Sequence, residues 1–143
     1  MGHYFYADED KKVVRENLLI DRAKKWAESF IRPEVSQDKR KRNPKLSSAQ
    51  LRKFHNEAKA LEAKVKTLKK PEEEFEKIRP LIKMLKSKVA YVCPSTGRDR
   101  KVPKEFRDYL EEMVDNIQDP KDFEAFALCF EAVVGFFYGE GGR

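Results

Sequence analysis

The sequence predicts an all-α protein, a compact bundle of about five helices in a single domain that spans residues 1–143. The composition is the first indication: only 6 glycines and 7 prolines occur, and 39% of the residues are charged, a mixture typical of helical proteins. The spacing of apolar residues is the second, because they recur at intervals of three and four, as on one face of a helix. With 40% hydrophobic residues, a chain of this length can bury one core.

The first helix is expected over residues 7–31, where an apolar stripe includes Leu18 and Phe30. Pro33 is expected to stop it, because proline cannot continue a helix from within. The connector that follows, residues 32–46, contains the run DKRKRNPK. A segment with so many like charges packs poorly, so the sequence predicts a mobile basic loop.

The second helix is predicted to begin just after Ser47. Ser47 as N-cap and Gln50 three residues later predict a capping box, in which each side chain bonds the backbone N–H of the other residue. Leu46 and Leu51 are placed to form a hydrophobic staple across this start. The core-facing stripe is predicted to comprise Leu51, Phe54, Ala58, Leu61, Val65 and Leu68.

Three further helices are delimited by proline and aspartate. The third begins at Pro71, and Pro80 within it predicts a kink or a split. Pro103 opens the fourth. Asp119 is expected to cap the fifth, which gives way to a frayed tail at residues 139–143.

The fifth helix is apolar nearly all round from Phe123 onward. Such a helix is expected to be central, or to bury its far side against another copy of the chain. We therefore expect self-association, for which exchange of this helix between copies is one arrangement.

Positive charge is concentrated in the middle third of the chain. Residues 32–70 contain thirteen lysines and arginines against four acidic residues, whereas residues 1–31 are balanced and residues 71–143 carry a net charge of −3. A localised basic excess is typical of a protein that binds a polyanion, usually nucleic acid. The alternative is a solvated, lysine-rich surface without a partner.

The sequence contains no recognisable catalytic constellation, cofactor motif or metal-ligand spacing, so we expect neither an enzyme nor a bound cofactor or metal. His55 follows the stripe residue Phe54 and is interpreted as a boundary or packing residue rather than a base. Cys93 lies in a basic connector, and because basic neighbours can lower the pKa of a thiol, a redox or nucleophilic role is kept as an alternative. Cys93 and Cys129 are interpreted as free thiols in a reducing compartment.

The N-terminus does not resemble a signal peptide, and no apolar run approaches the roughly 18–20 residues that span a bilayer. We therefore expect a cytoplasmic protein without membrane contact. Abundant charge with few Asn and Gln residues is a weak indication of a thermophilic source.

Basic side chains with an aromatic neighbour are the candidate binding residues. Arginine pairs with phosphate oxygens in a bidentate manner, and lysine adds positive charge. Tyr91 is an alternative contact that would stack on a base, but an aromatic beside a helical stripe is more often a core residue. The residues predicted to contact the phosphates or sugars of a nucleic acid, identified as RNA by the resemblance described next, are Lys45, Arg52, Lys53, Lys59, Lys88, Arg98 and Arg100.

Three stretches together resemble the small subunit of the type III-A CRISPR–Cas (Csm) effector complex: LSSAQLRKFHNEAKAL, KIRPLIKMLKSKVAYV and FEAFALCFEAVVGFFYG. The helix-start motif of that family is matched by Ser47, Gln50, Leu51, Arg52 and Phe54. Its second motif is matched by Leu85, Lys88, Ala90 and Tyr91. His55 replaces the usual aromatic, and the turn VCPSTGRD is longer than the family form, with Arg98 as the corresponding arginine. The resemblance does not extend to residues 1–45, which are interpreted as a lineage-specific N-terminal segment that precedes a family-like core at residues 47–138.

The resemblance implies a non-catalytic helical subunit that stacks in several copies, contacts guide and target RNA without regard to sequence, and assembles with other Csm subunits. A different class of function is a helical regulator that binds duplex DNA, since the loop between the second and third helices is short enough for a helix-turn-helix. A metal-dependent nuclease is the third alternative, and it would need converging carboxylates.

Overall fold

The computed structural model of the chain describes residues 3–36, 42–96 and 99–143. Six α-helices lie within these ranges, namely α1 Glu16–Leu19, α2 Asp21–Ile31, α3 Ser48–Lys66, α4 Pro71–Val92, α5 Lys104–Asp115 and α6 Pro120–Gly139. In this described part, extended pairing is limited to a single antiparallel bridge between Tyr6 and Val14. The prediction of an all-α fold is confirmed, and α1 is a single turn beside five longer helices.

The N-terminal segment is where the predicted helix is wrong, because residues 7–15 are not helical. The carboxylate of Asp8 accepts hydrogen bonds from the backbone N–H groups of Lys12 and Val13, each at 3.0 Å. A short acidic side chain that bonds its own backbone competes with helix formation. Lys11 completes this turn with a φ of 55°, in the left-handed region that few residues adopt.

The start of α3 follows the predicted signals in part. The backbone N–H of Gln50 donates to Ser47 Oγ at 3.2 Å, so Ser47 is the N-cap. Gln50 Oε1 is buried without a hydrogen-bond partner in the described structure, so the reciprocal half of the capping box does not form. Leu46 and Leu51 are both buried, at 3% and 0% exposure, as a hydrophobic staple requires.

The later helices begin at or next to the predicted residues. α4 runs through Pro80 as one helix, so the predicted split does not occur. The backbone N–H of Asp122 donates to Asp119 Oδ1 at 2.8 Å, which confirms Asp119 as the cap of α6. Pro120 occupies the first turn of that helix, where its missing N–H is not needed.

α6 is the central helix, and it packs against α1, α2, α3 and α4. Around it the aromatic rings of Phe30, Phe54, Phe106, Tyr109 and Phe130 form edge-on and tilted contacts with centroid separations of 5.2–6.5 Å. These rings come from four helices, so a single core joins α2, α3, α5 and α6. Burial within its own chain means that α6 does not require exchange with a second copy.

None of the helices in the described ranges is both long and apolar enough to cross a membrane.

Candidate nucleic-acid interface

The outward face of α3 carries exposed cations that have no ion-pair partner among the residues that the structure describes. Leu51, Phe54 and the other stripe residues turn one side of α3 into the core, and the helical repeat then directs Arg52, Lys53 and Lys59 to solvent. Within the described chain these three side chains form no ion pair. The face therefore presents positive charge that no acidic side chain in the described ranges pairs with.

Lys45 lies just before this helix and is exposed. The adjacent residue Leu46 is anchored, because its backbone N–H donates to Phe30 O at 2.9 Å. The neighbouring Asn43 is also fixed, since its Nδ2 donates to Glu34 O at 2.8 Å and to Glu105 Oε1 at 2.9 Å. The residues from Asn43 to Leu46, which lead into α3, are therefore held in place by hydrogen bonds. Residues 37–41 lie outside the described residues, so mobility of the connector stays a prediction.

A groove of about 450 Å³ separates α3 from the C-terminal half of α4. The residues that line it are Lys53, Phe54, Glu57, Ser87, Lys88, Tyr91 and Val92. Phe54 and Val92 are buried and supply an apolar floor. The two lysines come from different helices, so only the packing of α3 against α4 places them in one groove.

Tyr91 lies on the rim of this groove and is 84% exposed. The expectation that it is a core residue is therefore wrong. Core positions near the end of α4 are Val89 and Val92, and at about 100° per residue Tyr91 is turned roughly 100° from Val92 and roughly 160° from Val89. Its ring consequently faces solvent beside Lys88.

Lys88 is already paired, because its Nζ donates to Glu57 Oε1 across the groove. Both side chains are part-exposed, at 44% for Lys88 and 37% for Glu57. Among the described residues, Lys53 has no ion-pair partner, so of the two groove lysines it is the one that can meet an anion without displacing a carboxylate. The sequence did not reveal this pairing, since Glu57 and Lys88 are 31 residues apart.

Arg100 has a structural contact in the connector between α4 and α5. Its Nε donates to Pro94 O at 3.1 Å, and nearby Arg107 donates through Nη1 to Cys93 O at 2.8 Å. Arg100 lines a different pocket, with Cys93 and Glu111. The structure thus does not bring Arg100 into the groove between α3 and α4. The other predicted contact of this connector, Arg98, lies outside the described residues.

Cys93 is buried, with 1% exposure. Burial raises the pKa of the Cys93 thiol, and this effect outweighs the lowering by Arg100 and Arg107. The basic neighbours therefore act in the direction considered from the sequence, but burial decides the net direction of the pKa shift. A thiol in this environment is protonated at neutral pH and is a poor nucleophile.

His55 lies at the boundary between α3 and α6. Its ring meets Phe130 edge-on at a centroid separation of 5.3 Å, and its Nε2 lies 2.9 Å from Glu131 Oε2. The interpretation as a packing residue agrees with these contacts, although the acidic partner was not foreseen. No group of three or more His, Cys, Asp or Glu residues is placed to hold a metal ion in the described ranges.

The chain matches a protein-family model over most of its length. The model described as Csm2 Type III-A matches residues 14–142. No curated protein and no solved structure matches the chain. The match covers α1 to α6 and starts well before residue 46, so most of the segment interpreted as a lineage-specific N-terminal segment is part of the matched region.

Proposed function

Because the chain belongs to the Csm2 Type III-A family, a structural subunit family of the type III-A CRISPR complex, we propose that it binds RNA within that complex without regard to sequence. The contacts are made by the outward face of α3 and the adjoining groove. The protein acts as a cytoplasmic, non-catalytic subunit that holds RNA in place while other subunits carry out the chemistry.

The observation that carries this proposal is the set of free cations on α3. Arg52, Lys53 and Lys59 are exposed, unpaired within the described chain and carried by one rigid helix. Exposed cations in this arrangement bind a phosphate backbone, and the release of its counterions favours binding. Because the phosphate backbone is the same for every sequence, such binding does not depend on sequence. Lys45 and Lys88 extend the basic surface at its two sides, and Arg98 is proposed as a further contact.

Assembly in several copies, together with other subunits of the complex, is the second part of the proposal. Exposed apolar side chains on two helices support it: Leu81 and Met84 on α4 are 39% and 49% exposed, and Leu128 on α6 is 49% exposed. Such side chains suit protein contacts better than contacts with RNA.

The test of RNA binding replaces Arg52 and Lys53 together by glutamine and measures binding to single-stranded RNA. Loss of two phosphate contacts should lower the affinity roughly 25-fold at about 0.1 M salt, from a salt exponent of about 0.7 per contact. The melting temperature should not change, because both side chains are exposed.

The matched control replaces Lys25 on α2 and Lys77 on α4, which are exposed and do not line the groove between α3 and α4, by glutamine and should bind RNA nearly as the wild type does. Unchanged binding by the Arg52 and Lys53 variant at low salt would refute the assignment. Single-stranded DNA and duplex DNA are compared in the same assay. A marked preference for a defined duplex site would favour the DNA-binding regulator instead.

A further inference from the structure

We propose that the groove between α3 and α4 holds one nucleotide of single-stranded RNA, with its base stacked on the ring of Tyr91 and a neighbouring phosphate at Lys53. This inference rests on the proposed RNA binding and adds a base-stacking site to it. Phosphate contacts alone would give equal affinity for a strand with bases and for a strand without bases, whereas a stacking site would give higher affinity for the strand with bases.

The exposure of Tyr91 is the first step of the argument. With 84% of its surface accessible, the ring lies open on the rim of the groove and contributes little to the core. A base can therefore approach the ring without any rearrangement of α4. Aromatic rings that stack successive bases are a general device of proteins that bind single strands, and they tolerate any sequence because every base has a π face.

The groove beside the ring has the size and lining that a nucleotide needs. Its volume of about 450 Å³ falls within the roughly 300–1,000 Å³ of small-molecule sites. Phe54 and Val92 form an apolar floor below, and Lys53 lies on the opposite wall from Tyr91 on a separate helix. An apolar floor, an aromatic rim and a free ammonium match a base joined to a phosphate.

Charge favours RNA over a protein segment as the occupant. Lys53 and Lys88 outnumber the single carboxylate of Glu57 among the lining residues, so the groove is net positive. The same sign continues along α3 through Arg52 and Lys59. A strand bound along that face would therefore enter the groove without crossing a repulsive surface.

The experiment uses the full chain and two fluorescent ten-nucleotide probes with the same number of phosphates. One is oligouridine, and the other has abasic sites in place of the central bases. Wild-type protein should bind the base-bearing probe at least fivefold more tightly, the lower end of what loss of one stacked base costs. Tyr91→Leu should bind both probes equally, and Tyr91→Phe, which keeps the ring, should restore the preference.

The outcomes separate the two proposals. If the wild type binds neither probe at low salt, the proposed RNA binding fails and the stacking site fails with it. If it binds both probes equally, or if Tyr91→Leu keeps the wild-type preference, RNA binding stands and the stacking site is refuted. If Tyr91→Leu leaves RNA affinity intact but weakens binding to another subunit of the complex, the groove is a protein contact. Tyr91 is exposed, so the variants should melt at the wild-type temperature.

Discussion

Replacement of Glu57 by glutamine should tighten RNA binding. Glu57 holds the ammonium group of Lys88 across the groove between α3 and α4, and this pairing competes with any phosphate that approaches. The substitution keeps the shape of the side chain but removes its negative charge. Lys88 then becomes free to make one additional phosphate contact.

The magnitude follows from counterion release. One additional contact to a single strand adds about 0.7 to the salt exponent, which is a gain of about fivefold in affinity at 0.1 M salt relative to 1 M. The cost to folding is small, because an ion pair between part-exposed groups, here 37% and 44% exposed, contributes about 0–1 kcal/mol to the free energy of unfolding.

The assay is a titration of labelled single-stranded RNA at several salt concentrations, with Glu62→Gln as the matched control. Glu62 also lies on α3 and contacts Lys66 at 4.0 Å, but it does not line this groove. Both variants change the net charge equally, so a gain that is confined to Glu57→Gln would identify release of Lys88 as the cause. Equal gains in both variants, or no gain from Glu57→Gln at low salt, would refute the reasoning.

Two further predictions concern the core and the thiols. Tyr109 is fully buried and its hydroxyl has no hydrogen-bond partner in the described structure, so Tyr109→Phe should leave the free energy of unfolding unchanged or raise it by about 1 kcal/mol in urea titrations. A loss above about 1 kcal/mol would mean that the hydroxyl is satisfied. Burial raises the pKa of Cys93 and that of Cys129, the latter to about 12. At pH 8 the folded protein therefore contains less thiolate than the unfolded chain does. Alkylation by iodoacetamide at pH 8 should therefore be much slower in the native protein than in urea, and equal rates would contradict the buried environment.

Helix boundaries were predictable wherever local chemistry decides them. Ser47 and Asp119 each accept a backbone N–H in the first turn of their helices, and such caps can be read from a few adjacent residues. The error at residues 7–15 has a non-local cause in addition to the turn at Asp8. Phe5 is fully buried, and Tyr6 donates through its hydroxyl to Lys121 O at 2.5 Å. Docking of this segment against α6 therefore outweighs its local preference.

In the candidate site, too, some features could be predicted from neighbouring residues in the sequence and others could not. Exposure of Arg52 and Lys53 follows from the apolar stripe on their own helix, so helical periodicity was sufficient to predict it. The groove was not predictable, since Lys88 and its partner Glu57 meet only after α3 and α4 pack together. Tyr91 was misassigned although its helix carried the necessary signal, because the buried stripe of α4 runs to Val89 and Val92, and a residue two positions after Val89 lies on nearly the opposite side of the helix.

The salt dependence of RNA binding by the wild type and by the variant with Arg52 and Lys53 replaced by glutamine tests the central claim most directly. If the outward face of α3 contacts the phosphate backbone, the plot of log affinity against log salt for the variant should be shallower by about 1.4, the share of two lost contacts. The control with Lys25 and Lys77 replaced should keep the wild-type slope. Identical slopes for the wild type and the Arg52 and Lys53 variant would contradict the account.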